Sequence, residues 1–286
     1  MASDWLKVMS WLYRQQPTKN TERFDDYLEL AVGAVLGKSG SSKHTIVDNR
    51  KSMYWNSWCA QRQRDIERGL SSPFEIVDHT SRRFRWAPYT LKVYGNRPIT
   101  DRIRQRMLAK SEILTHISLY SSRQYEALGA VASQLMGASN VLVTEPGDER
   151  GIDFLAKIDL PSRNHIFSGP AAPIRVIGQP KMHGSALSVG DVMAFIQTLT
   201  AVRNSDPDVM RNVPTWFAPS RGILAGWIVC HSGFQSGAEA AAYRHGVLIS
   251  NSVDIAEITA MSRSLDEGAD PRSRALRLTE HVDLLL

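Results

Sequence analysis

Apolar positions recur along this chain with two periods, helical at the front and mixed with strand-like alternation behind. Trp5, Val8, Met9 and Leu12 fall at helical spacing within 3–14, and Phe24, Tyr27, Leu28, Leu30 and Val32 within 21–36, predicting two amphipathic helices separated by Pro17. Residues 37–42, Gly37-Lys38-Ser39-Gly40-Ser41-Ser42, have the composition of a flexible linker. They do not make a phosphate-binding loop, because three residues separate Gly33 from Gly37 where that motif needs four, and a helical pattern precedes them. Another helix is expected over 47–69, with Trp55, Trp58 and Cys59 interleaved with Arg50, Lys51, Arg62, Arg64 and Arg68. The β-rich runs 74–79 and 84–94, joined by Thr80-Ser81-Arg82-Arg83, predict a hairpin with a basic tip. A helix over 98–120 follows, carrying Arg102, Arg104 and Arg106.

Beyond it the pattern becomes regular. A helix over 122–136 is closed by Gly137; strands at 141–144 and 152–160 flank the turn Pro146-Gly147-Asp148; a Pro/Gly/Ser loop at 161–171 leads to a strand at 174–179. Ser188-Val189-Gly190-Asp191 opens a helix, its Ser and Asp placed to serve the free N–H groups of the first turn. A strand at 227–230, an Ala-rich helix at 236–244 stopped by Gly246, a strand at 247–249 and a helix from 253 complete the order αβββαβαβα. That order predicts an α/β domain over 121–286, a mixed sheet flanked by helices, preceded by a mainly helical region with a hairpin over 1–120.

Composition narrows the partners. With 43% hydrophobic and 22% charged residues in 286, the disordered, collagen-like and coiled-coil classes are excluded. No apolar run approaches the roughly 20 residues of a membrane span. The first residues carry Asp4 and Lys7 inside their apolar stretch and no small-residue cleavage site, so a cytoplasmic protein is expected. Two distant cysteines, Cys59 and Cys230, supply neither a disulfide framework nor a zinc site. The net charge of +5 is uneven: residues 1–120 hold 20 basic against 12 acidic, the remainder 14 against 17. A basic front suits a polyanion, whose counterions are released on binding, although a solvated basic surface gives the same count. Arg82, Arg83 and Arg85 of the hairpin are the candidate nucleic-acid contacts; the alternative is an aromatic core that arginines merely solvate.

Chemistry is suggested by polar residues inside strands. Alternation along Gly151-Ile152-Asp153-Phe154 puts Ile152 and Phe154 on one face and Asp153 on the other. Gln179 and Lys181 share a face if their strand continues through Pro180. A hairpin would gather Asp153, Gln179 and Lys181. Two oxygen donors that hold a divalent ion beside a phosphodiester, with an ammonium near the attacking water, make a hydrolytic nuclease site.

Residues 122–258 resemble the Mrr-like branch of the restriction-endonuclease-like, PD-(D/E)xK superfamily. The resemblance rests on Gly147-Asp148-Glu149-Arg150-Gly151-Ile152-Asp153, on Gln179-Pro180-Lys181, and on the run from Trp227 through Ser232-Gly233-Phe234 to Ala238, followed by Gly246-Val247-Leu248-Ile249. It implies a restriction-endonuclease-like sheet and an endonuclease acting on DNA with Mg²⁺ or Mn²⁺, in bacterial defence. By the same resemblance Asp153 is the principal metal ligand, Gln179 the second, Lys181 the catalytic lysine and Glu126 the helical acid. Glu145 and Asp148 are alternates that read as exposed turn acids. Gln179 stands where the superfamily more widely has an acid, which leaves the pocket less negative. Cutting both strands of a duplex implies a homodimer. A non-catalytic nucleic-acid-binding protein on the same fold, or a nuclease acting on RNA, are the competing readings. His183 and His231 lie near in sequence but pair with no nucleophile in a hydrolase pattern, and Ser232 reads as a turn residue.

Overall fold

The computed structural model describes residues 2–13, 15, 20–67, 74–86, 101–145, 151–159, 173–211, 213–217, 222–265 and 270–286. The expected turn at 146–148, the loop at 161–171 and the hairpin continuation at 87–94 lie outside them. Helices α1 (Ala2–Tyr13), α2 (Phe24–Leu36) and α3 (Gly40–Glu67) surround a small antiparallel sheet of β1 (Thr21–Arg23), β2 (Phe74–Asp78) and β3 (Arg83–Trp86), in the order β1-β3-β2. Their interior is aromatic. Phe24, Tyr54, Trp55, Trp58, Phe74, Phe84 and Trp86 are buried together, Trp58 stacking on Phe74 with ring centroids 3.7 Å apart.

Two expectations are corrected here. Residues 21–23, read as the start of a helix, form β1 against Arg83 to Arg85, and the helix begins only at Phe24, where Asp25 and Asp26 favour the positive end of its dipole. Half of the supposed linker, Gly40 to Ser42, is helix. Gly37 closes α2 in the left-handed conformation at φ +62°, and α3 starts three residues later, with Ser42 and Thr45 hydroxyls donating to carbonyls of the first turn.

The second unit is a mixed five-stranded sheet, β4 (Asn140–Val143), β5 (Phe154–Ile158), β6 (Ile174–Lys181), β7 (Ile223–Cys230) and β8 (Leu248–Asn251), side by side in chain order. The first two pairings are antiparallel and the last two parallel. Alternation along the strands feeds two cores. Phe154, Ala156, Val176, Trp227 and Val229 face α5 (Ser122–Leu135), α9 (Ser252–Met261) and α10 (Pro271–Asp283). Leu155, Ile177, Ile228 and Cys230 face α6 (Val189–Arg203) and α8 (Ser236–Arg244). The expected mixed α/β sheet flanked by helices is therefore present, with a short α7 (Pro207–Met210) in addition. The α10 helix, which the sequence pattern did not bring out, is capped by Asp270 with Pro271 in its first turn.

α4 (Asp101–Ile117) lies before the boundary drawn at 120, yet Ala109, Ile113, Leu114 and Ile117 enter the core of the second unit. A buried Lys110–Glu257 ion pair at 2.6 Å ties it to α9, and Ser10 and Ser111 hydroxyls tie it to α1. Among the described residues no helix is long and apolar enough to cross a membrane.

Candidate active site at the end of β6

β6 runs through Pro180 to Lys181, so Gln179 and Lys181 share the α6 side of the sheet with Ile177. Pro180 is tolerated because it lies past the last β5–β6 pair, Phe154 with Gly178, and its ring turns to the other face, against Gly129 of α5. The close seat of α5 needs glycine at 129: a Cβ there would meet the Phe154 ring and stand 2.8 Å from Pro180 Cγ.

Asp153 sits one residue before β5, where the ladder slips. The register pairs Phe154 with Gly178, which would set Asp153 opposite Gln179, but the Asp153 N–H donates to the Gly178 carbonyl at 2.9 Å. Alternation breaks at the same point. Ile152 packs with Leu155 in the α6-side core while Phe154 packs on the α5 side, which corrects the expectation that Ile152 and Phe154 share a face. Such an extra residue re-aims side chains at a strand end. The outcome is a buried Asp153, its side chain 2% exposed, with Oδ2 3.8 Å from Lys181 Nζ.

Gln179 is held from the other side. Its Nε2 donates to the Gly151 carbonyl at 2.9 Å. Gly151 adopts φ +81°, and Thr198 of α6 packs next to it. Asp153, Gln179 and Lys181 are thus brought to one end of the two central strands. Glu126 stays on α5, across the sheet, with its carboxylate accepting from Arg123 Nη1 at 2.9 Å. Glu145 is exposed, and Asp148 lies outside the described residues.

Lys181 is fixed by its backbone. Its carbonyl accepts from the His231 N–H at 3.0 Å, and the segment after it is fastened to the turn after β7 by the Leu187–Phe234 bridge and by the Ser232 hydroxyl donating to the His183 carbonyl. The imidazole of His231 hydrogen-bonds Ser252 Oγ through Nδ1 at 3.0 Å, and Ser252 Oγ meets Tyr125 Oη at 2.9 Å. Burial pushes the His231 pKa down to about 4 and raises that of Tyr125, so both are neutral near pH 7. Asp191, at the start of α6, is held below the usual carboxylate range first by the Ser188 hydroxyl and, more weakly, by His183 and Lys181. Thr198, Ser252 and Tyr125 were not singled out for this site from the sequence, His231 was weighed and set aside, and Gly151 entered only within the turn motif; they come from separate segments, and no local pattern links them.

A cavity of about 260 Å³ lies apart from these residues, at the ends of β7 and β8, where Gln61 and Arg64 of α3 face His231, Asn251 and Asp254; none of Asp153, Gln179 and Lys181 lines it. The Gln61 amide joins the two units, donating to Asp254 Oδ1 at 3.3 Å and accepting from Arg64 at 3.0 Å.

The hairpin arginines differ in their surroundings. Arg82, at φ +49°, forms a two-pronged ion pair with Asp25 at 2.6 and 2.7 Å, and this hydrogen bonding lowers the Asp25 pKa. Arg85 pairs with Glu75 at 2.9 Å, and Arg83 is exposed.

No family model and no curated protein matches this chain. Among solved structures it is similar in fold to the MspJI restriction endonuclease in complex with a 27-mer oligonucleotide, at 18% identity and TM-score 0.42, covering 67% of this chain and 40% of that one. It is also similar to the DNA modification-dependent restriction endonuclease AspBHI, at 16% identity and TM-score 0.41, covering 70% and 45%. A third is the restriction endonuclease FokI bound to DNA, at 13% identity and TM-score 0.36, covering 82% and 50%. The chain spans half or less of each of these proteins.

Proposed function

We propose that this chain is a metal-dependent endonuclease that hydrolyses phosphodiester bonds of DNA. The observation that carries the reading is the convergence of a buried carboxylate, Asp153, and an ammonium, Lys181, 3.8 Å apart at the end of the central strands, with the Gln179 amide beside them.

The donors suit a hard divalent cation. Asp153 offers carboxylate oxygens and Gln179 an amide oxygen, while among the described residues no group of three or more His, Cys, Asp or Glu is arranged to hold a metal. Two oxygen side chains fit an ion such as Mg²⁺ or Mn²⁺ that keeps several waters and shares the rest of its shell with phosphate. Bound there, such an ion supplies Lewis-acid stabilisation of phosphate charge and a more acidic water. Asp153 and Gln179 hold and orient it. Lys181, whose side chain is 31% exposed, reaches the solvent side, where its ammonium orients the attacking water and offsets charge developing on the phosphate oxygens. The exposed Arg83 and the basic excess over 1–120 supply phosphate contacts. Two copies serve a double-strand cut, and the biological setting is defence against foreign DNA.

The test is degradation of plasmid DNA, single-stranded DNA and RNA with and without Mg²⁺, by the unaltered chain and by Asp153→Ala and Lys181→Ala. Cleavage of duplex DNA that needs Mg²⁺ and disappears in both variants is expected. Equal activity in all three proteins, or a preference for RNA, would overturn the reading.

A further inference from the structure

We infer that the Gly151 carbonyl decides which edge of the Gln179 side chain faces the metal position, so that this site requires an amide at 179 and is impaired by a carboxylate. The inference rests on the metal reading proposed above and concerns how this chain arranges its own donors.

A carboxamide has two unlike edges, an NH₂ that only donates and an oxygen that only accepts. Free in solvent, the group presents either edge, and only the oxygen can bind a cation. Here the NH₂ edge is engaged, Nε2 to the Gly151 carbonyl at 2.9 Å, which leaves Oε1 as the edge available to an ion. The position is restricted to glycine in two ways. Gly151 occupies a left-handed conformation, φ +81°, that side chains rarely adopt, and a Cβ there would stand 3.1 Å from Gln179 Nε2 and 3.2 Å from Thr198 Oγ1. Any larger residue at 151 would strain its backbone and press on the amide whose orientation it sets. Gly151 is therefore a positioning residue, acting through Gln179.

A glutamate at 179 would face the same carbonyl with an oxygen and no proton to donate. Two acceptors cannot share that contact, so the carboxylate must turn away from the place that Gln179 occupies. Charge alone argues the reverse, since an added negative group beside a cation ordinarily tightens binding. The two arguments predict opposite signs for one substitution.

The experiment is calorimetric titration of the full chain with Mn²⁺ in the absence of DNA, with folding checked by circular dichroism and thermal melting. Gln179→Glu is expected to bind Mn²⁺ more weakly than the unaltered chain, and Gly151→Ala, with Gln179 intact, about 10-fold more weakly, the scale of lost ligand orientation. Gln179→Glu keeps the test open should Gly151→Ala fail to fold. Tighter Mn²⁺ binding by Gln179→Glu, or unaltered binding by a folded Gly151→Ala, would overturn the inference and leave the nuclease reading standing. Absence of Mn²⁺ binding by the unaltered chain would overturn the metal reading and this inference with it.

Discussion

The Lys181 ammonium stands 3.8 Å from a carboxylate oxygen of Asp153, and the two are unequally buried: the lysine side chain is 31% exposed and the aspartate 2%. The pair joins residues 28 positions apart through a slip in the β5–β6 ladder. A buried negative charge with a partly solvated partner costs stability to maintain.

Substitutions at the two residues should therefore differ in sign. Asp153→Asn removes the buried charge, so its urea midpoint should equal or exceed that of the unaltered chain while Mg²⁺-dependent cleavage falls at least about 100-fold. Lys181→Met removes one cation from beside the carboxylate and should cost about 1–2 kcal/mol, less than for a fully enclosed pair because the lysine already meets water. Destabilisation by Asp153→Asn and none by Lys181→Met would contradict this.

Arg82 and Arg83 are adjacent but should fail in different assays. Arg82→Ala breaks the paired hydrogen bonds to Asp25 that hold the hairpin tip to α2, lowering stability by about 1–2 kcal/mol. Arg83→Ala should leave the melting temperature unchanged and weaken duplex binding, with the salt dependence of log K reduced by about 1. Fluorescence anisotropy at several salt concentrations checks the second. An unchanged slope would remove Arg83 from the phosphate contacts.

Gly178 lies under the Phe154 ring, where a Cβ has no room. Gly178→Ala should destabilise the sheet by about 1–3 kcal/mol. Phe154→Leu in the same chain should restore part of that loss, whereas Phe154→Leu alone should destabilise. Additive losses in the double variant would show that the two sites do not meet.

His231 makes stability depend on pH over a defined window. Its folded pKa of about 4 lies below the ordinary 6.5, so between these values the unfolded chain binds a proton that the folded chain does not. Its contribution is complete above about pH 6.5, declines as the pH falls, and is lost below about pH 4, a span of up to about 3 kcal/mol. Urea midpoints for His231→Asn between pH 7.5 and 4.5 should fall less steeply than those of the unaltered chain. Parallel curves would mean that His231 stays neutral in both states or in neither.

The local features followed from neighbouring residues. The Ser188 and Asp191 capping box forms as its spacing predicted, Gly137 and Gly246 end their helices at positive φ, and the apolar run of β6 becomes a central strand that carries Gln179 and Lys181 on one face. These depend on contacts within about four residues, so sequence order contains them. The three-residue β1 depended on a strand some sixty positions later, and α3 begins inside the linker-like run, at Gly40, although Gly40 to Ser42 are exposed and its core contacts start further along at Ile46 and Val47. Alternation also misplaced Ile152, because regular pleating ends where Asp153 donates to Gly178 in place of its register partner. The distance from Asp153 to Lys181 and the grip of Gly151 on Gln179 depend on strand register and helix packing, which long-range burial sets and no local spacing encodes.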